Sequence, residues 1–174
     1  MKISLSNYFL YLNKLPQGMN HNLDKIDLKI LRILQENAKI TNLQLSSEIG
    51  LSPAPTLERV KKLEASQLIR GYHTQLDNEA LGIGISAVIL ITLTRQVENA
   101  INNFRKEIAK VPEIMECYQV TGNADYVLIV MMKDIRAFEE LISQKLSKME
   151  EIGQMQTMVV LSKPKESHVL PIAY

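Results

Sequence analysis

The stretch TNLQLSSEIGLSPAPTLERVKKLEAS most constrains the fold, because it contains two helix starts with a helix stop between them. Thr41 and Gln44 have the T-x-x-Q spacing of a capping box, in which each side chain satisfies a free backbone N–H at a helix start. Gly50 is suited to end that helix, since glycine adopts the left-handed conformation without a side-chain clash. Ser52 is a good cap for a new helix, and Pro53 suits its first position, where no N–H is needed. The stretch therefore predicts two short helices joined by a tight turn.

Apolar residues at helical spacing define the buried side of each predicted helix and add one helix upstream, from Leu23 to about Asn37. The buried positions are Leu23, Ile26, Ile30, Leu31, Ile33 and Leu34 in the first helix, Leu43, Leu45 and Ile49 in the second, and Leu57, Val60 and Leu63 in the third, which runs to Ser66. Three helices with a tight turn before the last predict a helix-turn-helix. The two-residue period from Leu68 to Leu76 predicts a strand or short hairpin, which would form a wing.

After Gly84 the periodicity predicts a second, α+β unit with the order strand, helix, strand, strand, helix, strand. The predicted elements are Ile85–Thr94, Val97–Lys110, Ile114–Thr121, Asp125–Met132, Ile135–Met149 and Met155–Ser162. This βαββαβ order is the ferredoxin-like plan. The predicted organisation is an N-terminal extension (1–22), a winged helix-turn-helix (23–76), a linker (77–84) and a ferredoxin-like unit (85–174).

Both faces of two predicted strands carry apolar residues, which indicates self-association. In Ile85–Thr94 and in Asp125–Met132, both the odd-numbered and the even-numbered positions include apolar side chains, and these two sets point to opposite faces of a strand. Two helices cover only one face of a four-stranded sheet, so the other face would be a large exposed apolar patch unless a second subunit covered it. We therefore expect sheet-to-sheet dimerisation.

Composition excludes several classes of protein. The formal net charge is +1, so any binding to nucleic acid must use a local surface and not bulk charge. Cys117 is the only cysteine, which rules out an intramolecular disulfide and fits a reducing compartment; we expect a cytoplasmic protein. No apolar run reaches the roughly 18 residues that span a bilayer. Residues 1–18 lack a small-residue cleavage site, so we interpret them as an extra helix or arm, with Met19 as an alternative start.

The third helix has the features of a recognition helix, which enters the major groove with its N-terminal residues leading. Its positions away from the predicted apolar side include Thr56, Arg59 and Lys62. Arginine suits a bidentate contact to guanine or a phosphate clamp, and lysine suits phosphate. The structural alternative is that Arg59 and Lys62 pair with Glu58 or Glu64 on a solvated face.

A glycine-containing turn in the second unit is the best candidate for a ligand site. The run Thr121-Gly122-Asn123-Ala124-Asp125-Tyr126 leaves backbone N–H groups free to meet a carboxylate, and Asp125 can pair with an ammonium group. The alternative is an ordinary hairpin turn. His21, His73 and His168 are scattered, with no metal-ligand spacing or catalytic motif, so we expect no cofactor, no metal and no enzyme activity.

The stretches LDKIDLKILRILQENAKITNLQLSSEIGLSPAPTLERVKKLEASQLIRGY and ECYQVTGNADYVLIV resemble the Lrp/AsnC family of bacterial and archaeal regulators over roughly residues 22–172. The resemblance implies a winged helix-turn-helix joined to a ferredoxin-like effector domain, often called RAM, in dimers that assemble to tetramers or octamers and bind double-stranded DNA. It implies an amino-acid effector bound between subunits near the G-x-x-D-Y turn. The residues predicted to contact DNA are Thr41, Ser52, Ala54, Pro55, Thr56, Arg59, Lys61 and Lys62. The residues predicted to bind the effector are Thr121, Gly122, Asp125, Tyr126, Gln156 and Thr157. The family commonly has cysteine at the position of Thr56.

Two alternatives come from other functional classes. Some relatives of this fold resemble sirohaem decarboxylases, which would make the chain a tetrapyrrole-binding enzyme; of the histidines that such a site would use, only His168 lies in the second domain. The other alternative is an architectural DNA-binding protein without an effector.

Overall fold

The computed structural model describes residues 22–172, which form two compact units. One unit contains residues up to 74 together with residues from 167 onward, and the other contains residues 75–166. Most of the predicted N-terminal extension, including His21, lies outside the described residues. Within the first unit the C-terminal segment reaches the first helix, where the backbone N–H of Leu170 donates to Gln35 Oε1 at 2.6 Å.

Three helices build the first unit: α1 (Lys25–Glu36), α2 (Asn42–Ile49) and α3 (Pro53–Ala65). The predicted capping box of α2 is confirmed, with Thr41 and Gln44 each accepting a hydrogen bond from the other's backbone N–H. Gly50 ends α2 with a φ of 76°, as the turn requires. A second capping box, formed by Asp24 and Asp27 at the start of α1, was not predicted from the sequence.

The core of the first unit shows that the buried side of α3 is rotated about the helix axis from the side that was predicted. Ile30, Leu45, Ile49 and Leu63 are buried together, but Leu43 is 69% exposed and Leu57 is 42% exposed. In α3 the inward positions are 56, 60 and 63, which lie one above another at the i, i+4, i+7 spacing of a helix face. Thr56 fills the place expected for a larger apolar residue because its hydroxyl has a backbone acceptor.

The wing hairpin predicted between Leu68 and Leu76 does not form: this segment contains no strand, and its residues from 70 to 76 are exposed. A strand needs a partner, and no other extended segment of the first unit pairs with this one within the described residues. Leu68 and Ile69 instead pack against the helical core. Tyr72 donates from its hydroxyl to Glu64 Oε1 at 2.8 Å, and burial together with this hydrogen bond raises the pKa of Tyr72 to about 12.

The second unit has the predicted α+β order. It comprises β1 (Ile85–Leu93), α4 (Glu98–Ile108), β2 (Ile114–Gln119), β3 (Tyr126–Met132), α5 (Ile135–Glu140) and β4 (Ile152–Val159). The strands form one antiparallel sheet in the order β2-β3-β1-β4, and the α+β fold class is confirmed.

Two elements of this unit differ from the predicted bounds by more than two residues. The last helix is regular only to Glu140 and continues as a π turn over Leu141–Lys145 and a 3₁₀ turn over Leu146–Lys148. The last strand begins at Ile152, earlier than the predicted Met155, because the pairing of β1 with β4 passes through an irregularity at Thr92/Leu93. Gly153 fits there since a Cβ would lie 3.2 Å from the backbone nitrogen of Thr94.

The two faces of the sheet differ as the alternation predicts. On the helix-covered face the side chains of the two central strands are buried: Ala87, Ile89, Ile91, Leu93, Tyr126, Leu128, Val130 and Met132. The opposite face, here called the open face, carries Val88 and Leu90 of β1 and Val127, Ile129 and Met131 of β3, all half-buried. Tyr118 and Met158 on the flanking strands extend it, at 51% and 44% exposed.

Candidate functional sites

The start of α3 presents an exposed and weakly capped surface. Ser52 occupies the cap position without a side-chain capping bond, and Pro53 follows it. Ala54 and Pro55 are exposed in the first turn. Because prolines lack an N–H, the hydroxyl of Ser52 and the N–H of Ala54 are the polar groups of this first turn that can meet a phosphate.

Thr56 does not belong to that surface, and its prediction as a DNA contact is wrong. Its side chain is 0% exposed, and its hydroxyl donates to the backbone oxygen of Ser52 at 2.9 Å. This bond to the carbonyl four residues earlier satisfies the hydroxyl inside the helix pair. A base edge therefore has no access to Thr56 in this structure.

Arg59 faces α1, and it pairs with neither Glu58 nor Glu64, the partners that the structural alternative gave it. Its Nη1 lies 2.7 Å from Asp24 Oδ2 and 2.7 Å from Asp27 Oδ1, and 32% of its side chain is exposed. The two carboxylates belong to the capping box of α1. Hydrogen bonds from the Asp27 backbone and from Arg59 lower the pKa of Asp24, and the same two carboxylates raise that of Arg59.

The outward face of α3 combines predicted DNA contacts with two residues that were predicted to have other roles, Leu57 in the core and Glu58 in an ion pair. Lys61 and Lys62 are exposed as predicted, and Lys61 lies 3.2 Å from Glu58 in a solvated pair. Glu58 and Leu57 are exposed beside them. The spacing of the buried Thr56 and Leu63 would have identified this face, had threonine been admitted as a core residue.

Around the start of α2, polar groups are used for structure. Thr41 is exposed, but its hydroxyl donates to Gln44 Oε1 at 2.9 Å and accepts from the Gln44 N–H. The side-chain amide of Asn42 donates to the backbone oxygen of Pro53 at 2.8 Å, which ties α2 to the beginning of α3. The contacts of Thr41 thus stabilise the start of α2, the helix that crosses the DNA phosphate backbone in helix-turn-helix proteins.

In the second unit, the turn between β2 and β3 exposes Thr121 and Gly122. Gly122 has a φ of 125°, which L side chains rarely adopt. Within residues 22–172, the backbone N–H groups of 121–124 make no hydrogen bond to the protein. They are consecutive donors along the chain, and such donors are chemically suited to a carboxylate.

Asp125 connects this turn to the end of β1 and to the segment that follows β1. Its Oδ2 accepts from the backbone N–H of Leu93 at 2.8 Å, and its Oδ1 accepts from the side-chain amide of Gln96 at 2.6 Å. Each carboxylate oxygen has a second lone pair, so the group can still meet an ammonium. Asp125 therefore has a structural function whether or not a ligand binds.

The other predicted effector residues point in different directions. Tyr126 is 2% exposed and packs against Phe104, with ring centroids 4.7 Å apart, on the helix-covered face. Gln156 is paired with Leu90 and lies on the open face, whereas Thr157 is paired with Ile89 and lies on the opposite face. Gln156 and Thr157 therefore cannot both line a site on one face.

A groove of about 510 Å³ lies between α4 and the edge strand β2, and Tyr126 forms part of its wall. Ile108, Ile114 and Cys117 also line it, and Arg105 at its border donates to Gln119 Oε1 at 2.7 Å. Burial raises the pKa of Cys117 more than nearby Arg105 lowers it. Of the predicted effector residues, only Tyr126 lines this groove.

No group of three or more His, Cys, Asp and Glu side chains in residues 22–172 is arranged to hold a metal ion. No helix in this range is long and apolar enough to cross a membrane.

Comparison with known families gives a match for each unit. A family model described as "Winged helix-turn-helix DNA-binding" matches residues 23–70, and one described as "Lrp/AsnC ligand binding domain" matches residues 86–170.

Relatives and solved structures cover most of the chain. The "Leucine-responsive regulatory protein" of Haemophilus influenzae is 36% identical over 91% of this chain and 96% of its own length. The "Transcriptional regulator AzlB" of Bacillus subtilis is 39% identical over 86% of this chain and 96% of its own length. The L-Met complex of a transcriptional regulator from Neisseria meningitidis has a TM-score of 0.82 at 36% identity, covering 86% of this chain and 96% of that one. These matches to regulators do not favour a decarboxylase-like enzyme.

Proposed function

The chain belongs to the Lrp/AsnC family of transcriptional regulators, and from that premise we propose that it contacts duplex DNA through the outward face of α3 under the control of an amino acid. The observation that carries the DNA contact is the composition of that face, where Ala54 and Pro55 are exposed in the first turn of the helix and Lys62 is exposed in its last turn. Small leading residues admit the helix to a major groove, and lysine neutralises phosphate.

The proposed DNA contacts are the exposed members of the predicted set on α3 and at its cap, together with the two residues found on the same face: Ser52, Ala54, Pro55, Leu57, Glu58, Lys61 and Lys62. A carboxylate on this face suits the amino group of cytosine, and apolar groups suit the methyl group of thymine. Thr56 and Arg59 are left out because they face inward.

An α-amino acid is the effector that the geometry of the β2–β3 turn supports best. The N–H groups of 121–124 offer donors to the α-carboxylate, and Asp125 offers an acceptor to the α-ammonium. The solved relative in complex with L-Met is a regulator that binds such a molecule. Thr121 and Gly122 complete the proposed site on this subunit, and Gln156 on the open face is a candidate contact from a neighbouring subunit.

The open face supports a homodimer, which we propose as the unit that assembles further to tetramers or octamers. In such an assembly the spacing of the DNA-binding units sets the spacing of half-sites on DNA. An amino acid that binds one assembly state more tightly shifts the population towards it, typically by about 1–3 kcal/mol of coupling.

A thermal-shift screen of the twenty amino acids tests the effector site. Asp125→Asn keeps an acceptor for the Leu93 N–H but removes the charge, whereas Asp134→Asn removes a charge from the cap of α5, where asparagine caps equally well. An amino acid that raises the melting temperature of the wild type should do so in Asp134→Asn and not in Asp125→Asn. An equal shift in both variants would contradict the assignment of Asp125, and no shift with any amino acid would contradict an amino-acid effector.

A further inference from the structure

Arg59 joins the proposed recognition helix to the beginning of α1 through two aspartates that also cap that helix. Asp24 Oδ1 accepts the N–H groups of Ile26 and Asp27, while its Oδ2 accepts from Arg59. Asp27 Oδ2 accepts the N–H of Asp24, while its Oδ1 accepts from Arg59. Each carboxylate thus has one oxygen for the helix start and one for the arginine. We call these three side chains the Arg59 clamp.

We propose that Arg59 is a positioning residue for DNA recognition, which sets the rotation of α3 about its axis without contacting DNA. This inference rests on the proposed contact between the outward face of α3 and DNA. Arg59 lies on the side of α3 that packs inward, next to Thr56, while Glu58 and Lys62 lie outside. A rotation of α3 that exposed Arg59 would withdraw the outward residues from the groove.

The leading half of α3 has few other attachments. Its cap residue Ser52 makes no side-chain capping bond, and its first buried side chain, Thr56, is small. Among the described residues, the polar contacts that hold this half to the rest of the unit are the bond from Asn42 to the Pro53 oxygen and those of the clamp. Asp27 has only 10% of its side chain exposed, so its bond to Arg59 is partly shielded from water.

The alternative is that Arg59 leaves the aspartates and contacts phosphate when DNA binds. The two roles predict opposite effects of Asp24→Asn. Asparagine still caps α1 through its oxygen but presents an amide to Arg59 in place of an acceptor. A positioning arginine then holds α3 less well and affinity falls, whereas a phosphate-binding arginine is released from a competitor and affinity rises.

The experiment measures binding to two duplexes between about 50 and 200 mM salt. One is the duplex that the wild type selects in vitro from a random-sequence pool, and the other is an unrelated duplex of equal length. The full chain is compared with Arg59→Met, Arg59→Lys, Asp24→Asn and, as the matched control for a phosphate contact, Lys62→Met. Thermal unfolding of each variant is recorded in parallel.

We expect Arg59→Met to weaken binding to the selected duplex about tenfold, as loss of a charged hydrogen bond would, while the salt dependence stays that of the wild type. Lys62→Met should reduce the slope of log K against log salt by about 0.9 on both duplexes. Asp24→Asn and Arg59→Lys should weaken selective binding in the same direction as Arg59→Met, because lysine keeps the charge but not the two-carboxylate geometry.

Three results would overturn the proposal: the first two are a slope reduced by Arg59→Met as much as by Lys62→Met, and tighter binding by Asp24→Asn. Wild-type affinity in Arg59→Met would do so as well. If Arg59→Met does not fold, Asp24→Asn and Arg59→Lys decide between the same outcomes. A wild type that selects no duplex would instead contradict the proposed DNA contact itself, so the two failures are distinguishable.

Discussion

Replacing Ile129 with aspartate should prevent the proposed dimer from forming. Ile129 lies in the middle of β3 on the open face, where its direct neighbour on β1 is Val88. In the separate subunit it is only half-buried, so a carboxylate there remains in contact with water. In a dimer that buries the open face, the same carboxylate would lose its water without gaining a partner.

The magnitude follows from symmetry. Burying the half of the isoleucine side chain that is still exposed contributes about 0.8–1.5 kcal/mol, the loss of water by the carboxylate that replaces it costs at least about as much, and an interface related by a two-fold axis contains each substituted position twice. The expected loss of about 3–6 kcal/mol corresponds to a dimer dissociation constant raised by roughly two to four orders of magnitude.

Sedimentation velocity over a range of protein concentrations measures this change. Val97→Asp is the matched control, because it places the same charge at an exposed cap position of α4 in the same unit, where aspartate is a favourable residue. We expect the wild type and Val97→Asp to sediment as dimers or larger species and Ile129→Asp as a monomer. Identical sedimentation of Ile129→Asp and the wild type would refute the assignment of the interface to the open face.

Three further predictions concern single side chains. Thr56→Val should leave DNA affinity within about twofold and change the free energy of unfolding by no more than about 1.5 kcal/mol, since only the hydrogen bond of the hydroxyl is lost. Filter binding and urea unfolding measure the two quantities. A large loss of affinity without loss of stability would show that Thr56 contacts DNA. Gly122→Ala should destabilise the protein by about 1–3 kcal/mol because φ is 125°, and more than Gly82→Ala, where φ is 73°; equal melting temperatures for the two variants would contradict this. Burial raises the pKa of Glu113, but the hydrogen bond and the charge of Lys145 together with a backbone hydrogen bond outweigh burial and hold that pKa below 4.5, so this carboxylate contributes stability above pH 4.5 that is lost as the pH falls through its folded-state value. Lys145→Met should remove this acid sensitivity, which urea midpoints at neutral and acid pH would reveal.

Several elements could be predicted because their signals lie within a few residues. The capping box at Thr41, the left-handed Gly50 and the proline at the start of α3 act on the backbone next to them, and the structure confirms each. The alternation in β1 and β3 likewise predicted one buried and one open face. The strand or hairpin predicted between Leu68 and Leu76 was wrong because a two-residue period does not supply the partner strand that a hairpin needs.

The turn between β2 and β3 could be located from the sequence, but the contacts of its side chains could not be predicted. Glycine at 122 and the neighbouring aspartate indicated a turn with free N–H groups. That Asp125 already accepts bonds from Leu93 and Gln96 depends on residues about 30 positions away. The opposite directions of Gln156 and Thr157 depend on the register of β4 against β1.

By itself, the order of residues determined the three helices of the first unit, the order of elements in the second unit and the fold class that they build, since these depend on neighbours along the chain. Only the tertiary structure decided which side of α3 faces outward. That choice depends on the burial of Thr56 and on ion pairs that join Arg59 to aspartates 32 and 35 residues earlier. No local periodicity contains such a contact, because it arises only when α1 and α3 pack together.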